Sequence, residues 1–491
     1  MINEVIKIVK QIKLWGYRKV GEVYMEERKN KVKKVRPFMI IAALVVVFVG
    51  YKVFSGGTGD VSEALKKEMV PLKTVQAKSG FEDMEPLKEV LKDKQIVAMG
   101  EATHGTSDFF KMKHRMFEFL VEEMGFRVFA IEGEFGAAQV INEYILNGTG
   151  SARDGVKAMN FWIWDTEEVV EMIEWMREFN KNNERKIKFY GFDMQNPNES
   201  VKSLIAYLEK VDSSNYKESI DKLKKLEGVY ESSQKDLAET FAKSGGAGTS
   251  GTASLDFQAI KDNIIQLQES LNKDKETLLK NSSEAEYKMA LQLLKVISQS
   301  VEFTQLGLKT TVDNPETFNF RDKSMAENVK WILDYESDFG NDKVMLWAHN
   351  GHVSKAYLSY STMGERLKDL YGSKYYSIGF EFYSGSFNAL KIDPTTNNVS
   401  ALEKFTIEKC NGKAFASVLN NTSIPLGFID FKSAAKNPKV NKLLNRGQYM
   451  HSIGSVHTGV EDQTFLLQKP IRDYDGVIFI KETTESNILK E

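Results

Sequence analysis

Apolar positions along this chain follow two periods. Short apolar runs at Ile96–Met99, Val128–Ile131, Ile187–Phe192 and Lys343–Ala348 read as buried strands. Tyr375–Phe382, Gly427–Phe431 and Val477–Ile480 extend that set. Between the runs, apolar residues recur every three or four positions. One helix carries Phe109, Phe110, Met112, Met116, Phe117, Leu120 and Val121 and stops at Gly125; another runs from Phe135 to Leu146 and stops at Gly148. A third carries Val169, Val170, Ile173, Met176 and Phe179 behind a cap at Asp165 or Thr166, and a fourth follows Asn319 with Met325, Ala326, Val329, Trp331 and Ile332. Buried strands alternating with amphipathic helices predict an α/β fold, with a mostly parallel sheet core of about seven strands flanked by helices. From about 200 to 310 the texture turns Lys/Glu/Leu/Ser-rich at helical spacing, around a glycine–serine tip, Ser244–Ser254. That predicts a long inserted antiparallel helical pair, placed first as a cap on the site.

The strand ends carry the candidate chemistry, because ligands of open parallel sheets bind beyond the carboxyl ends of the strands. The first run exits into Gly100-Glu101-Ala102-Thr103-His104-Gly105, the second into Glu132, the third into Asp193, and the fourth into His349-Asn350-Gly351-His352. Taken singly, a Glu after a strand ordinarily caps a helix or meets water, and Trp162 and Trp164 read first as core. Jointly these residues supply histidine plus carboxylates. No G-x-S-x-G elbow occurs, and Cys410 sits in no nucleophile-like setting, which disfavours a covalent esterase. The parts fit a general-base hydrolase, in which an imidazole near its reference pKa of ~6.5 takes a proton from water. His104 is the candidate base, with Glu101 and Glu132 as candidates for orienting it or the water. With His349 and His352 the same residues are possible zinc or manganese ligands, yet no H-E-x-x-H occurs and H-x-x-H in a loop is a weak metal signal. No cofactor is therefore expected. The alternatives are a metal-dependent surface hydrolase or peptidase, and a non-enzymatic ligand-binding surface module.

GEATHG at 100–105, Lys113-His114-Arg115, FAIE at 129–132, the aromatic lead-in to Asp165, Arg321-Asp322 with Met325-Ala326-Glu327-Asn328, and WAHNGH at 347–352 resemble, in that order, the erythromycin esterase family. The resemblance covers about Gly100 to Phe382. It implies a parallel sheet with a helical excursion and metal-independent hydrolysis of a small-molecule ester or lactone by histidine-activated water. It carries functional roles onto Glu101, His104 and Glu132 as catalytic groups. His349, His352 and Arg115 become substrate-binding groups that hold the carbonyl and its developing oxyanion. Arg321 is placed to hold a carboxylate. Antibiotic resistance is one role such a resemblance admits.

Charge and hydropathy then place the chain. Residues 1–37 hold eleven Lys and Arg against four Glu in a chain of net charge −2, so this end is a basic arm and the remainder is acidic, without a nucleic-acid footprint. Ile2, Val5, Ile6, Val9 and Ile12 give the arm an apolar stripe suited to an anionic cytoplasmic leaflet. Phe38–Phe54, interrupted only by Lys52, reaches roughly 26 Å as a helix, enough to span a bilayer. Lys31, Lys33, Lys34 and Arg36 precede it, which predicts a single-pass protein of the cell membrane with a cytoplasmic N-terminus and an exported body. The expected organisation is a basic cytoplasmic arm over 1–37, a transmembrane helix over 38–54, a linker over 55–83 and the hydrolase domain over 84–491. The loop-rich tail from Asn441 to Pro470, with Arg446, His451 and His457, is set over the pocket with no residue assigned. One cysteine excludes an intramolecular disulfide.

Overall fold

The computed structural model describes residues 61–227, 256–309, 315–356, 359–393 and 399–490. The expected transmembrane helix and basic arm lie outside these residues, as does the glycine–serine tip. Among the described residues no helix is long and apolar enough to cross a membrane.

The described residues form twelve strands: β1 Val70–Pro71, β2 Ile96–Met99, β3 Val128–Glu134, β4 Lys188–Asp193, β5 Val344–Trp347, β6 Tyr375–Ile392, β7 Val399–Ile407, β8 Leu426–Asp430, β9 Gln448–His451, β10 Val456–His457, β11 Phe465–Gln468 and β12 Gly476–Thr483. The main sheet runs β1-β8-β12-β6-β2-β5-β3-β4, while β7 and β10 pair with β6, and β9 and β11 form a separate ribbon. From β12 to β4 every neighbour is parallel; β8 and β1 are antiparallel additions. The fold is thus the expected α/β arrangement, mostly parallel and flanked by helices, with ten strands in the main sheet instead of about seven. The extra strands β1, β7 and β10 are edge elements, short or alternately exposed, so they contain no continuous apolar run.

The central strands are buried on both faces, and their alternation shows it. Ile96 and Ala98 of β2 and Val344 and Leu346 of β5 enter one core; Val97, Met99, Met345 and Trp347 enter the other. The second core is covered by α1 (Ser107–Met124), α2 (Phe135–Asn147) and α3 (Glu167–Asn182), where Thr166 caps α3 by accepting from the Val169 amide. The first is covered by α4 (Asn198–Asp212), α5 (Phe257–Lys273), α6 (Glu284–Lys309) and α7 (Pro315–Ser337).

Two expectations need correction here. The excursion is a bundle, not a pair: a further helix runs over 217–227, and α6 packs against both α4 and α5. Polar breaks at Ser213-Ser214-Asn215 and Asn281-Ser282-Ser283, where side chains compete for backbone partners, cut the long periodic stretch into turns of helix. Segment 61–83 is not a spacer. Leu65, Met69, Leu72 and Val75 are buried, and β1 pairs with β8.

That segment is docked on α1 by buried charge. Arg115 donates to Asp83 at 2.6 and 3.0 Å and to the carbonyls of Thr74 and Gly80, and Glu118 accepts from the Lys78 amide at 2.7 Å. Burial pushes the Glu118 carboxyl up to about 7, Lys78 and Arg115 offsetting it only in part, and burial also pushes the adjacent His114 down to about 3, so the imidazole adds no charge there at neutral pH. A raised carboxyl favours the folded state while protonated, so this contribution is full near pH 4.5 and is lost as pH rises through 7. Glu118→Gln is therefore expected to raise the melting temperature at pH 8 and leave it unchanged at pH 5, a difference on the order of 2 kcal/mol in chemical denaturation at the two pH values. Equal effects at both would refute the assignment.

Candidate active site

Strand order explains how distant residues meet. β2, β5 and β3 are consecutive in the sheet, so their carboxyl ends present Glu101–His104, His349–His352 and Glu132 side by side on one rim. β4 adds Asp193, and the first turns of α7 add Arg321 and Asp322. The glycines of GEATHG are there for contact. A Cβ at Gly100 would lie 2.2 Å from Asn350 Oδ1, and one at Gly105 would lie 2.0 Å from the Asn388 carbonyl of β6. Asn350 in turn clips β6, its Oδ1 accepting from the Phe380 amide and its Nδ2 donating to the Phe380 carbonyl, both at 3.0 Å. Gly105→Ala should displace the loop from rigid backbone and lower both thermal stability and turnover; a variant with wild-type melting and rate would show that the close approach is not required.

His104 Nδ1 lies 2.6 Å from Glu101 Oε1. The other Glu101 oxygen accepts from Trp347 Nε1 at 2.8 Å and from the Lys113 ammonium, which is itself fully buried 4.4 Å from the Trp347 ring centre. Burial works against the Glu101 charge, but Lys113 and His104 outweigh it and hold the carboxyl below its ordinary value; burial brings Lys113 down to about 8. Glu101 is therefore a fixed anion, and it sets the tautomer with the proton on Nδ1. The remaining nitrogen, Nε2, makes no hydrogen bond among the described residues, and His104 lines a cavity of about 460 Å³.

The other two imidazoles are spoken for. His349 Nε2 donates to the Ile453 carbonyl at 3.2 Å and its Nδ1 accepts from the Gly351 amide; burial drives its pKa down to about 3, so it is neutral. His352 has carboxylates on both sides, Asp322 at 3.0 Å from Nδ1 and Glu132 at 3.2 Å from Nε2. Burial opposes its charge, but Asp322 and Glu132 prevail and raise it to about 10, so the ring is an imidazolium. Glu132 also accepts from Arg321 Nη2 and the His349 amide, both at 2.8 Å, and Arg321 reaches Asp193 at 2.6 Å. Arg321 Nη1, 3.1 Å from His352 Nε2, is a neighbour across the shared Glu132 oxygen, since both groups are donors.

Of the residues picked out by sequence, Glu101, His104, Glu132, His349 and His352 lie together. Arg115 does not: it points to the opposite side of α1, into the Asp83 anchor, and lines no part of the cavity. Lys113 takes the buried cation position. It was legible, since it shares the apolar stripe of α1 with Phe109, Phe110, Met116 and Phe117, where a lysine must have a partner. Asp322 and Trp347 gave no such signal. The cavity walls are Phe161, Trp162 and Ile163 on one side and Leu390, Ile392 and the Ser452–Thr458 stretch on the other. No residue of α4, α5 or α6 lines it, so among the described residues the excursion does not cap the site. Among the described residues no three His, Cys, Asp or Glu side chains are grouped so as to hold a metal ion.

Residues 121–483 match the family model described as erythromycin esterase. Erythromycin esterase type II of Escherichia coli is 23% identical, the match covering 87% of this chain and 99% of that one. The YbfO protein of Bacillus subtilis (strain 168) is 26% identical, over 91% and 98%. Among solved structures, a Bacillus cereus protein aligns with a TM-score of 0.73 at 24% identity, covering 88% of this chain and 99% of that chain. An erythromycin esterase variant, EreC in an open conformation, aligns with a TM-score of 0.61 at 16% identity, over 85% and 98%.

Proposed function

The chain belongs to the erythromycin esterase family, and from that premise we propose a membrane-tethered hydrolase that cleaves a carboxylic ester or lactone with water activated by His104. One observation carries the reading: His104 lines the cavity with Nδ1 held by the buried anion Glu101, and its Nε2 has no hydrogen-bond partner among the described residues. Water attacks the carbonyl carbon and passes its proton to Nε2. The imidazolium that forms is stabilised by Glu101. The tetrahedral oxyanion develops beside the Arg321 and His352 cations, which supply the electrostatic stabilisation. Collapse expels the alcohol oxygen, which takes the proton back from His104, leaving acid and alcohol and a regenerated base.

The apolar walls suit the hydrocarbon part of such a substrate. Metal independence is supported by the donor set: the oxygens of Glu132 and both nitrogens of His352 are already engaged with one another, Arg321, Asp322 and the His349 amide. The tether rests on the apolar run 38–54 and its basic flank. Acid release by the purified chain, followed across simple esters, lactones and macrolides, tests the reaction; no turnover on any of them would overturn it. Rates are expected to be the same after exhaustive chelation, and activity lost in chelator and restored by a divalent cation would reverse the metal assignment.

A further inference from the structure

We propose that the β9–β11 ribbon and its surroundings form a docking face for an anionic lipid bilayer, which lays the body on the membrane beside its own tether. The inference rests on the tether reading above. Leu467 and Tyr449 are directly paired across the ribbon and are 53% and 47% exposed, and Val460 nearby is 45% exposed. These are three of six large hydrophobic residues exposed in this way among the described residues, and they fall within twenty residues of one another. Basic side chains surround the pair. Arg446 precedes the glycine on which Leu467 lies, Lys469 stands two residues after Leu467 just past the end of β11, and Lys413 adjoins Ala414, which bridges to Tyr449. All three are exposed, and none of them is in an ion pair among the described residues. Of the acidic pair Glu461-Asp462 beside Val460, Glu461 has its carboxylate on the Asn411 amide at 2.9 Å. Apolar side chains ringed by unpaired cations fit a surface that offers hydrocarbon beneath an anionic layer.

Chain geometry says why this face meets the bilayer. The described body begins at residue 61, seven steps after the apolar run ends at Phe54, so its start lies within about 25 Å of the membrane even when the intervening chain is fully extended. Ser62 Oγ lies 3.5 Å from the Val418 carbonyl, on the short helix Phe415–Asn420 that packs against β9. Val418 is four residues from the Ala414–Tyr449 bridge, about 6 Å along that helix. The body is therefore held to the membrane right beside the exposed pair. The same ribbon continues into the Ser452–Thr464 wall of the cavity, so docking would turn one rim of the cavity mouth toward the lipid.

The test uses the full chain with Leu467→Cys carrying an environment-sensitive fluorophore, which is specific because the remaining cysteine, Cys410, is buried. The chain is reconstituted in vesicles of phosphatidylcholine with and without phosphatidylglycerol. Blue-shifted emission, quenched by lipids brominated in the acyl chain, is expected with the anionic lipid. It should fall in high salt and with Arg446→Glu/Lys469→Glu, while the same label at Leu370→Cys, an exposed position on the helix Met363–Tyr371, stays water-like. Water-like emission at 467 in an alkali-resistant, membrane-integral chain overturns docking and leaves the tether standing. If alkali strips the chain, the tether reading fails; the labelled protein is then mixed with anionic vesicles, where a blue shift upholds the lipid-binding face and its absence overturns it.

Discussion

His104→Ala is expected to lower kcat/KM for ester hydrolysis by about 10²–10⁴-fold while the protein melts within a few degrees of wild type. The two halves of this result have separate causes. The rate falls because His104 alone among the three clustered imidazoles has a ring nitrogen without a partner among the described residues. Stability survives because Glu101 keeps Lys113 and Trp347 as partners when the imidazole is gone. Truncation also leaves a gap open to the cavity, so added imidazole should restore part of the rate, as no rearranged active site would. Turnover within tenfold of wild type would remove His104 from the mechanism.

The second large effect is expected on stability. Arg321→Leu leaves Glu132 and Asp193 facing each other in a buried site without their shared cation. Removing one partner of a buried charge network costs about 3–5 kcal/mol, which in a chain of this size corresponds to roughly 3–5 °C in melting temperature. Hydrolysis should be lost as well, since Glu132 then draws His352 out of place. Arg321→Lys keeps the charge but cannot fork between two carboxylates, so an intermediate loss in both readouts is expected. A leucine variant with wild-type melting would show that the network is not held by Arg321.

Much of this was legible from the chain, for a physical reason. β2, β3 and β5 are buried on both faces, so each had to be a continuous apolar run, and each run had to end where polar groups resume. What motif likeness could not rank was which cation belongs to the site. Lys113 and Arg115 are two residues apart on one helix, about 200° around its axis, and motif likeness alone put the wrong one in the cavity. The register of the helical stripe resolves them. Side-chain partnerships across long separations, such as Asp322 with His352 and Trp347 with Glu101, leave no periodic trace. Nor does the Ser452–Thr458 wall, whose strands are too short for a period to develop. Segment 61–83 read as a spacer because its buried residues are scattered and its anchors are charges supplied by α1.

α7 has a further consequence. Its first turns supply Arg321 and Asp322, and its last turn holds Tyr190 of β4 through Glu336, so one rod runs from the floor of the cavity to the other end of β4. Of the helices from 198 to 309, α6 packs on this rod and α4 and α5 pack on α6, and none of the three lines the cavity. Evolution is thus free to lengthen, shorten or redecorate that outer bundle so long as the rod keeps its seat. A grip on the bundle has a route inward through α6 and α7: a small tilt of α7 would move both cations of the floor at once.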